Sequence, residues 1–257
     1  MGGRDPHAYG LAQAVSTITR VPLPAADAAL KIGVVDTGYA PHPWLDGHVE
    51  VDDDHVEAAG SGHGTFVAGV VLDHAKTATV VLRRALVEGP DDDTQVVAAL
   101  ENLNRPDIKL INLSFGGSLS EQGTPEGLRA ALDALAGDVV VVAAVPNNAS
   151  PLRNYPAADA GVLSVGATTA SGEIAEFSAC GRWITVFTRG EDVHGPFEKG
   201  FATWSGTSFA AAAVTGRIGA LMESGLTATA ARDVLLGRCE TRHAWGVNGP
   251  FDVRVLL

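Results

Sequence analysis

Short, densely apolar runs alternate with amphipathic stretches along most of the chain, and this alternation predicts the elements. Lys31-Ile32-Gly33-Val34-Val35 reads as a buried strand that ends abruptly in Asp36-Thr37-Gly38. Residues 77–86 form a second, β-branched strand, and Asp91-Asp92-Asp93-Thr94 opens an amphipathic helix running to about Asn104. Acidic residues in a first helical turn oppose the helix dipole favourably, so those three aspartates need no metal to explain them. After a turn at Arg105-Pro106-Asp107 come a strand over 108–113, a helix over 124–135 and an all-apolar strand over 139–145. Towards the end, Phe201-Ala202-Thr203-Trp204-Ser205-Gly206-Thr207-Ser208-Phe209 runs into Ala210-Ala211-Ala212-Ala213. That stretch is a strand or loop handing over to a buried helix of small residues that continues to about Glu223. A last amphipathic helix covers 227–236, and a short one is expected over 8–19 within an Ala- and Pro-rich start. Strands apolar on both faces, alternating with helices, predict an α/β single domain: a mainly parallel β-sheet flanked by helices on both faces.

Composition narrows the function classes. The 257 residues are 46% hydrophobic and 19% charged, enough for one substantial core. With 18 basic against 30 acidic residues the net charge is −12, which argues against a nucleic-acid partner. The longest apolar run, 138–145, is strand-sized, so no membrane span is expected. Oligomeric state is open. The two cysteines, Cys180 and Cys239, have no CxxC spacing; one disulfide and two reduced thiols both remain open. The first residues lack the apolar core of a secretion signal, and Pro6 stands where myristoylation wants Ser or Thr. A cytoplasmic protein is the expectation, with a secreted mature form lacking its signal and propeptide as the alternative.

Three stretches carry candidate chemistry. Asp36 sits at the carboxyl end of an apolar strand, where open α/β sheets place functional groups. Its Asp-Thr-Gly triplet also has the form found in aspartic proteases, but a single copy would require a homodimer to pair two carboxylates. His63 lies in Ser61-Gly62-His63-Gly64-Thr65, flanked by glycines that permit close backbone approach and followed at once by a small-residue helix. Ser208 begins the Ala-rich helix, whose unpaired N–H groups favour negative charge near a nucleophilic hydroxyl. Between these, Asp52-Asp53-Asp54 and Glu57 read as a solvated acidic face, with a calcium site as the competing reading.

Asp36-Thr37-Gly38, His63-Gly64-Thr65 and Gly206-Thr207-Ser208 together resemble the three signature motifs of the subtilisin-like serine proteases, in that family's order. The resemblance covers roughly residues 28 to 240, implying an N-terminal extension over 1–27 and a catalytic domain over 28–257. It implies a serine endopeptidase with Asp36, His63 and Ser208 as a triad, acting on peptides or polypeptides without a metal or organic cofactor. A catalytically impaired peptide-binding protein of the same fold is the alternative. Ser114-Phe115-Gly116-Gly117 resembles the family's substrate-pairing segment. Ala143-Ala144-Val145-Pro146-Asn147-Asn148 falls where the family has its oxyanion asparagine. Val145-Pro146 departs from the usual residues there; Asn147 aligns best, with Asn148 as the alternative. Ala143 and Ala144 would wall the first specificity pocket, and Asn154 would lie near its floor with Arg153 adjacent. The interval after His63 lacks the Asn-rich insertion that carries a tight calcium site in many members, so a weak response to chelators is expected.

Overall fold

The computed structural model describes residues 9–15, 18–52, 62–85, 93–115, 124–135, 137–246 and 249–257. The chain begins with strands β1 (Tyr9–Val15), β2 (Lys31–Asp36) and the short β3 (Val49–Glu50), then helix α1 (Gly62–His74) and strand β4 (Thr79–Arg84). Helix α2 (Asp93–Leu103), β5 (Ile108–Leu113), α3 (Glu126–Asp133), β6 (Val140–Ala144), β7 (Val162–Thr168) and β8 (Val186–Arg189) follow. A hairpin of β9 (Val193–Phe197) and β10 (Gly200–Ser205) leads into α4 (Thr207–Glu223), α5 (Ala228–Gly237) and a closing hairpin, β11 (Glu240–Gly246) with β12 (Gly249–Leu256).

The main sheet has the order β11-β12-β8-β7-β6-β5-β2-β4-β3 and is parallel throughout except at the β11–β12 edge. This is the α/β architecture expected from the alternation of apolar strands and helices. Alternation within each strand divides its side chains between two cores. Val34, Leu110 and Val142 face α1, α4 and α5, whereas Val35, Ile111 and Val141 face α2 and α3. Helix α4 is apolar nearly all round and buried along most of its length, as a helix must be when it is covered on every side. Its approach to α1 depends on Gly216, where a Cβ would lie 2.4 Å from the Val71 carbonyl oxygen.

Sequence order reverses at β2: the chain first builds β4 and β3 on one side, then crosses to β5 and β6 on the other. The carboxyl ends of β2, β5 and β6 thus surround a topological switch point, the usual place for a site in an open α/β sheet.

The expected helix over 8–19 is corrected: residues 9–15 form β1, antiparallel to β10 in a three-stranded sheet with β9. Gly10, at φ +76°, is outside helical geometry. The pairing partner lies almost two hundred residues away, and such tertiary pairing overrides the local preference of an Ala-containing stretch. Cys180 packs on the α2/α3 face and Cys239 on the α1/α4 face, so the sheet separates the two free thiols. Burial raises the pKa of both and keeps them protonated at neutral pH.

Acid sensitivity is expected at His74, the last residue of α1. Burial first, then the nearby positive charges of Arg217, Arg20 and Lys76, push its pKa down to about 4. An unfolded histidine titrates near 6.5, so below that pH the unfolded chain takes up a proton that the folded chain refuses. The associated stability is complete above about pH 6.5 and falls on acidification towards about pH 4, by up to about 3 kcal/mol. In Ser208→Ala protein, which prevents self-cleavage, the urea midpoint falls between about pH 7 and pH 4.5, and His74→Gln reduces that fall. Identical pH slopes with and without His74 would place the sensitivity elsewhere.

Candidate active site

Asp36 closes β2 at the switch point, fully buried. Its Oδ1 accepts from the Thr37 N–H at 2.7 Å and from the Thr37 hydroxyl at 3.2 Å. The same oxygen lies 2.7 Å from His63 Nδ1, and the imidazole is also fully buried. A carboxylate oxygen only accepts, so Nδ1 carries the proton, and it is Nε2 that gains or loses one when the ring changes charge. Burial of both partners strengthens this contact relative to one in water.

The residues around the two side chains explain their motifs. His63 is the second residue of α1, and the first turn of α1 abuts the turn after β2. A Cβ on Gly64 would lie 2.1 Å from the Gly38 carbonyl oxygen and 3.2 Å from Asp36 Oδ1, so only glycine permits this approach. Two threonines fasten the junction: Gly64 N–H donates to Thr37 Oγ1 at 3.2 Å, and Ala40 N–H donates to Thr65 Oγ1 at 2.8 Å. Behind the imidazole, Trp204 meets it edge-on at 5.8 Å between ring centroids, and Phe209 lies 5.5 Å away. Phe66 packs on both of these rings. The imidazole is therefore oriented by a carboxylate at one nitrogen and by an aromatic wall alongside.

Ser208 is the second residue of α4, almost fully buried, and its hydroxyl donates to the Ser114 carbonyl oxygen at 3.1 Å. Gly206, the residue before α4, supplies no side-chain cap, so an unpaired N–H of the first turn is satisfied from the loop after β6 instead. The Thr207 N–H donates to Asn147 Oδ1 at 2.9 Å. The Thr207 hydroxyl lies 3.0 Å from the same oxygen and donates to the Val145 carbonyl. A backbone N–H can only donate, which identifies the Asn147 atom facing α4 as its oxygen and turns the amide NH2 group away from the Thr207 backbone. Asn148 differs: it is exposed, and its Oδ1 accepts from the Ser150 N–H at 3.0 Å in a local turn. Of the two asparagines, the structure brings Asn147 against the start of α4 and turns Asn148 into solvent.

The remaining sequence-derived positions fall as follows. Ser114 and Phe115 are buried just beyond the carboxyl end of β5, while Gly116 and Gly117 lie outside the described residues. Ala143 and Ala144 are buried within β6, their backbones paired with β7 and, for Ala143, also with β5. Asn154 is half-buried beside Tyr155, and Arg153 is exposed. Asp52 pairs with Arg83 at 3.1 Å; Asp53, Asp54 and Glu57 lie outside the described residues. Among the described residues no group of three His, Cys, Asp or Glu side chains is placed to hold a metal ion, and no helix is long and apolar enough to cross a membrane. The sequence reading missed the aromatic wall of Trp204 and Phe209. An isolated Trp four residues before Ser208 is the only local signal for it.

The chain is similar to known proteins over most of its length. The model of the subtilase family matches residues 27–246. Thermitase from Thermoactinomyces vulgaris is 30% identical over 223 residues, 80% of this chain and 79% of thermitase. Subtilisin BL from Lederbergia lenta is 32% identical over 219 residues, 77% of this chain and 80% of that one. Among solved structures, the prenylagaramide maturation protease PagA superposes with a TM-score of 0.74 at 22% identity, covering 84% of this chain and 85% of its own.

Proposed function

The chain belongs to the subtilase family and is a subtilisin-like serine endopeptidase, and on that footing we propose that Ser208 is its nucleophile, His63 its general base and Asp36 the group that orients His63. The observation that carries this reading is the buried 2.7 Å contact of Asp36 Oδ1 with His63 Nδ1, which leaves Nε2 to accept a proton. As Ser208 Oγ attacks the peptide carbonyl, its hydroxyl turns from the Ser114 carbonyl oxygen and its proton passes to His63 Nε2, and the imidazolium is stabilised by Asp36 without taking that proton. His63 then donates to the leaving amine, which departs as the tetrahedral adduct collapses to an acyl-enzyme. Water, deprotonated by the same imidazole, attacks the ester and restores Ser208. The carbonyl oxygen becomes anionic in both tetrahedral adducts. Asn147 Nδ2–H and the Ser208 backbone N–H are the donors assigned to it.

The finer reading is an intracellular processing protease acting on defined polypeptide precursors. Two protonated thiols on opposite sides of the sheet fit a reducing compartment. PagA, which shares the fold, is named a maturation protease. Peptide main chain would pair along the segment from Ser114 through Phe115, Gly116 and Gly117. Ala143, Ala144 and Asn154 would shape the first specificity pocket.

Asn154 is uncharged and Arg153 is exposed, so nothing assigned to that pocket would pair with a cationic side chain. Profiling a peptide library is expected to show cleavage after apolar or neutral residues and poor cleavage after Lys or Arg. Asn154→Asp is expected to raise the relative rate after basic residues. Cleavage by the wild-type enzyme chiefly after Lys or Arg would overturn the pocket assignment, and cleavage without sequence preference would overturn the processing role.

A further inference from the structure

Two fully buried polar side chains in the core play no part in the triad, and both connect to it. Asn112 interrupts an otherwise apolar face of β5, and Thr215 lies in the middle of α4; both are 0% exposed. Burying an amide or a hydroxyl in an apolar core is unfavourable unless it is hydrogen-bonded, and an apolar pair of similar volume would fill the same space. Here the bonds exist and run in one direction. Thr215 Oγ1 donates to Asn112 Oδ1 at 2.9 Å. Asn112 Nδ2 donates to Ser114 Oγ at 2.7 Å. Ser114 Oγ in turn donates to the Ser208 carbonyl oxygen at 3.3 Å.

The Ser208 carbonyl fixes this polarity, because a carbonyl oxygen only accepts: the single proton of Ser114 Oγ is spent on it. Ser114 Oγ must then accept from Asn112, which presents its NH2 group, and Asn112 Oδ1 is left to accept from the Thr215 hydroxyl. The periodicities of the two elements bring the four residues together. Asn112 and Ser114 are two apart at the end of an extended segment and share a face. Ser208 and Thr215 are seven apart, close to two helical turns, and share a face of α4. Ser114 therefore holds Ser208 twice: its hydroxyl donates to the Ser208 backbone carbonyl, and its own backbone carbonyl accepts the Ser208 hydroxyl at 3.1 Å.

We propose that Thr215 and Asn112 are positioning residues for this reaction, fixing the Ser114 side chain and through it the backbone that carries the Ser208 hydroxyl. The inference rests on the assignment of Ser208 as nucleophile. Thr215 touches no reacting atom; it acts by removing the alternative orientation of the Asn112 amide and so the alternative direction of the Ser114 hydroxyl. Without it, Ser208 samples positions from which attack is slower, and a displacement of less than an ångström is enough to cost rate.

The test is a double-mutant cycle on the full chain, with kcat and KM measured on a chromogenic peptide and active sites counted with a fluorophosphonate. Thr215→Val removes only the hydroxyl; it is expected to lower kcat by about tenfold with KM within about twofold, while labelling stays stoichiometric but slower. Thr215→Ser restores the donor and is expected to recover most of kcat. In a Ser114→Ala background, Thr215→Val is expected to cost almost nothing further, because the relay is already cut. A Thr215→Val enzyme that loses thermal stability but keeps wild-type kcat would overturn the proposal, as would additive losses in the cycle. Should Thr215→Val not fold, Ser114→Ala decides by itself: wild-type kcat in that variant overturns the relay. Ser208→Ala is run alongside. If it is inactive while Thr215→Val is unimpaired, only the relay fails; if it remains active, the nucleophile assignment fails first.

Discussion

Replacing Ser208 or His63 by alanine is expected to lower kcat by roughly a million-fold, the size such losses have in subtilisin itself. Replacing both is expected to cost little more than either alone. The non-additivity follows from the geometry: the hydroxyl has no base without the imidazole, and the imidazole has no proton to receive without the hydroxyl. Asp36→Ala is expected to cost less, on the order of ten-thousand-fold, because it removes the group that orients the ring and not a partner in proton transfer. The loss of the 2.7 Å contact to Nδ1 still frees the ring to take the wrong tautomer. Steady-state kinetics of the three single variants and the double variant, with circular dichroism to establish folding, checks both the order and the non-additivity. Losses that multiply in the double variant would separate the roles of Ser208 and His63.

Asn147→Ala is expected to lower kcat by about a hundred- to a thousandfold with KM little changed, the magnitude known for the corresponding loss in subtilisin. The oxyanion forms only in the transition state, so a donor aimed at it contributes to turnover and not to ground-state binding. Asn147 also accepts from the Thr207 N–H, so the variant loses part of the fastening of α4 as well. Asn147→Asp separates the two effects: it keeps an oxygen for Thr207 but presents a second oxygen where the N–H pair was. Turnover as poor as in Asn147→Ala, with the thermal midpoint of wild type, is the expected outcome. Asn148→Ala is expected to retain near-wild-type turnover, since that side chain is exposed and bound to Ser150. A larger loss at Asn148 than at Asn147 would reverse the assignment.

What was legible in the sequence follows from where the chemistry lies. Asp36 ends a strand, while His63 and Ser208 each begin a helix of small residues, so each motif has a local composition set by the backbone approach it must allow. Gly64 shows this most clearly: its neighbours within the motif say little until the Gly38 carbonyl is found where a side chain would stand. The parallel sheet was legible for a similar reason, because strands buried on both faces carry continuous apolar runs. Residues 9–15 were not, since their strand state is set by pairing with β10 and not by their own pattern. Phe251, Val253 and Val255 do alternate with exposed residues, yet nothing local indicates that β12 joins β8. Contacts between distant elements were hidden altogether. Trp204 meets His63 only when β10 is brought against α1, and Thr215 meets Asn112 only when α4 is laid across β5.

The most direct measurement is fluorophosphonate labelling of the full chain followed by peptide mass mapping. The expected result is a single covalent adduct on Ser208, absent from Ser208→Ala protein and strongly slowed in His63→Ala protein, since attack by Ser208 depends on the imidazole as base. A folded wild-type protein that cleaves peptides but takes up no label, or that carries the label on another serine, would contradict it.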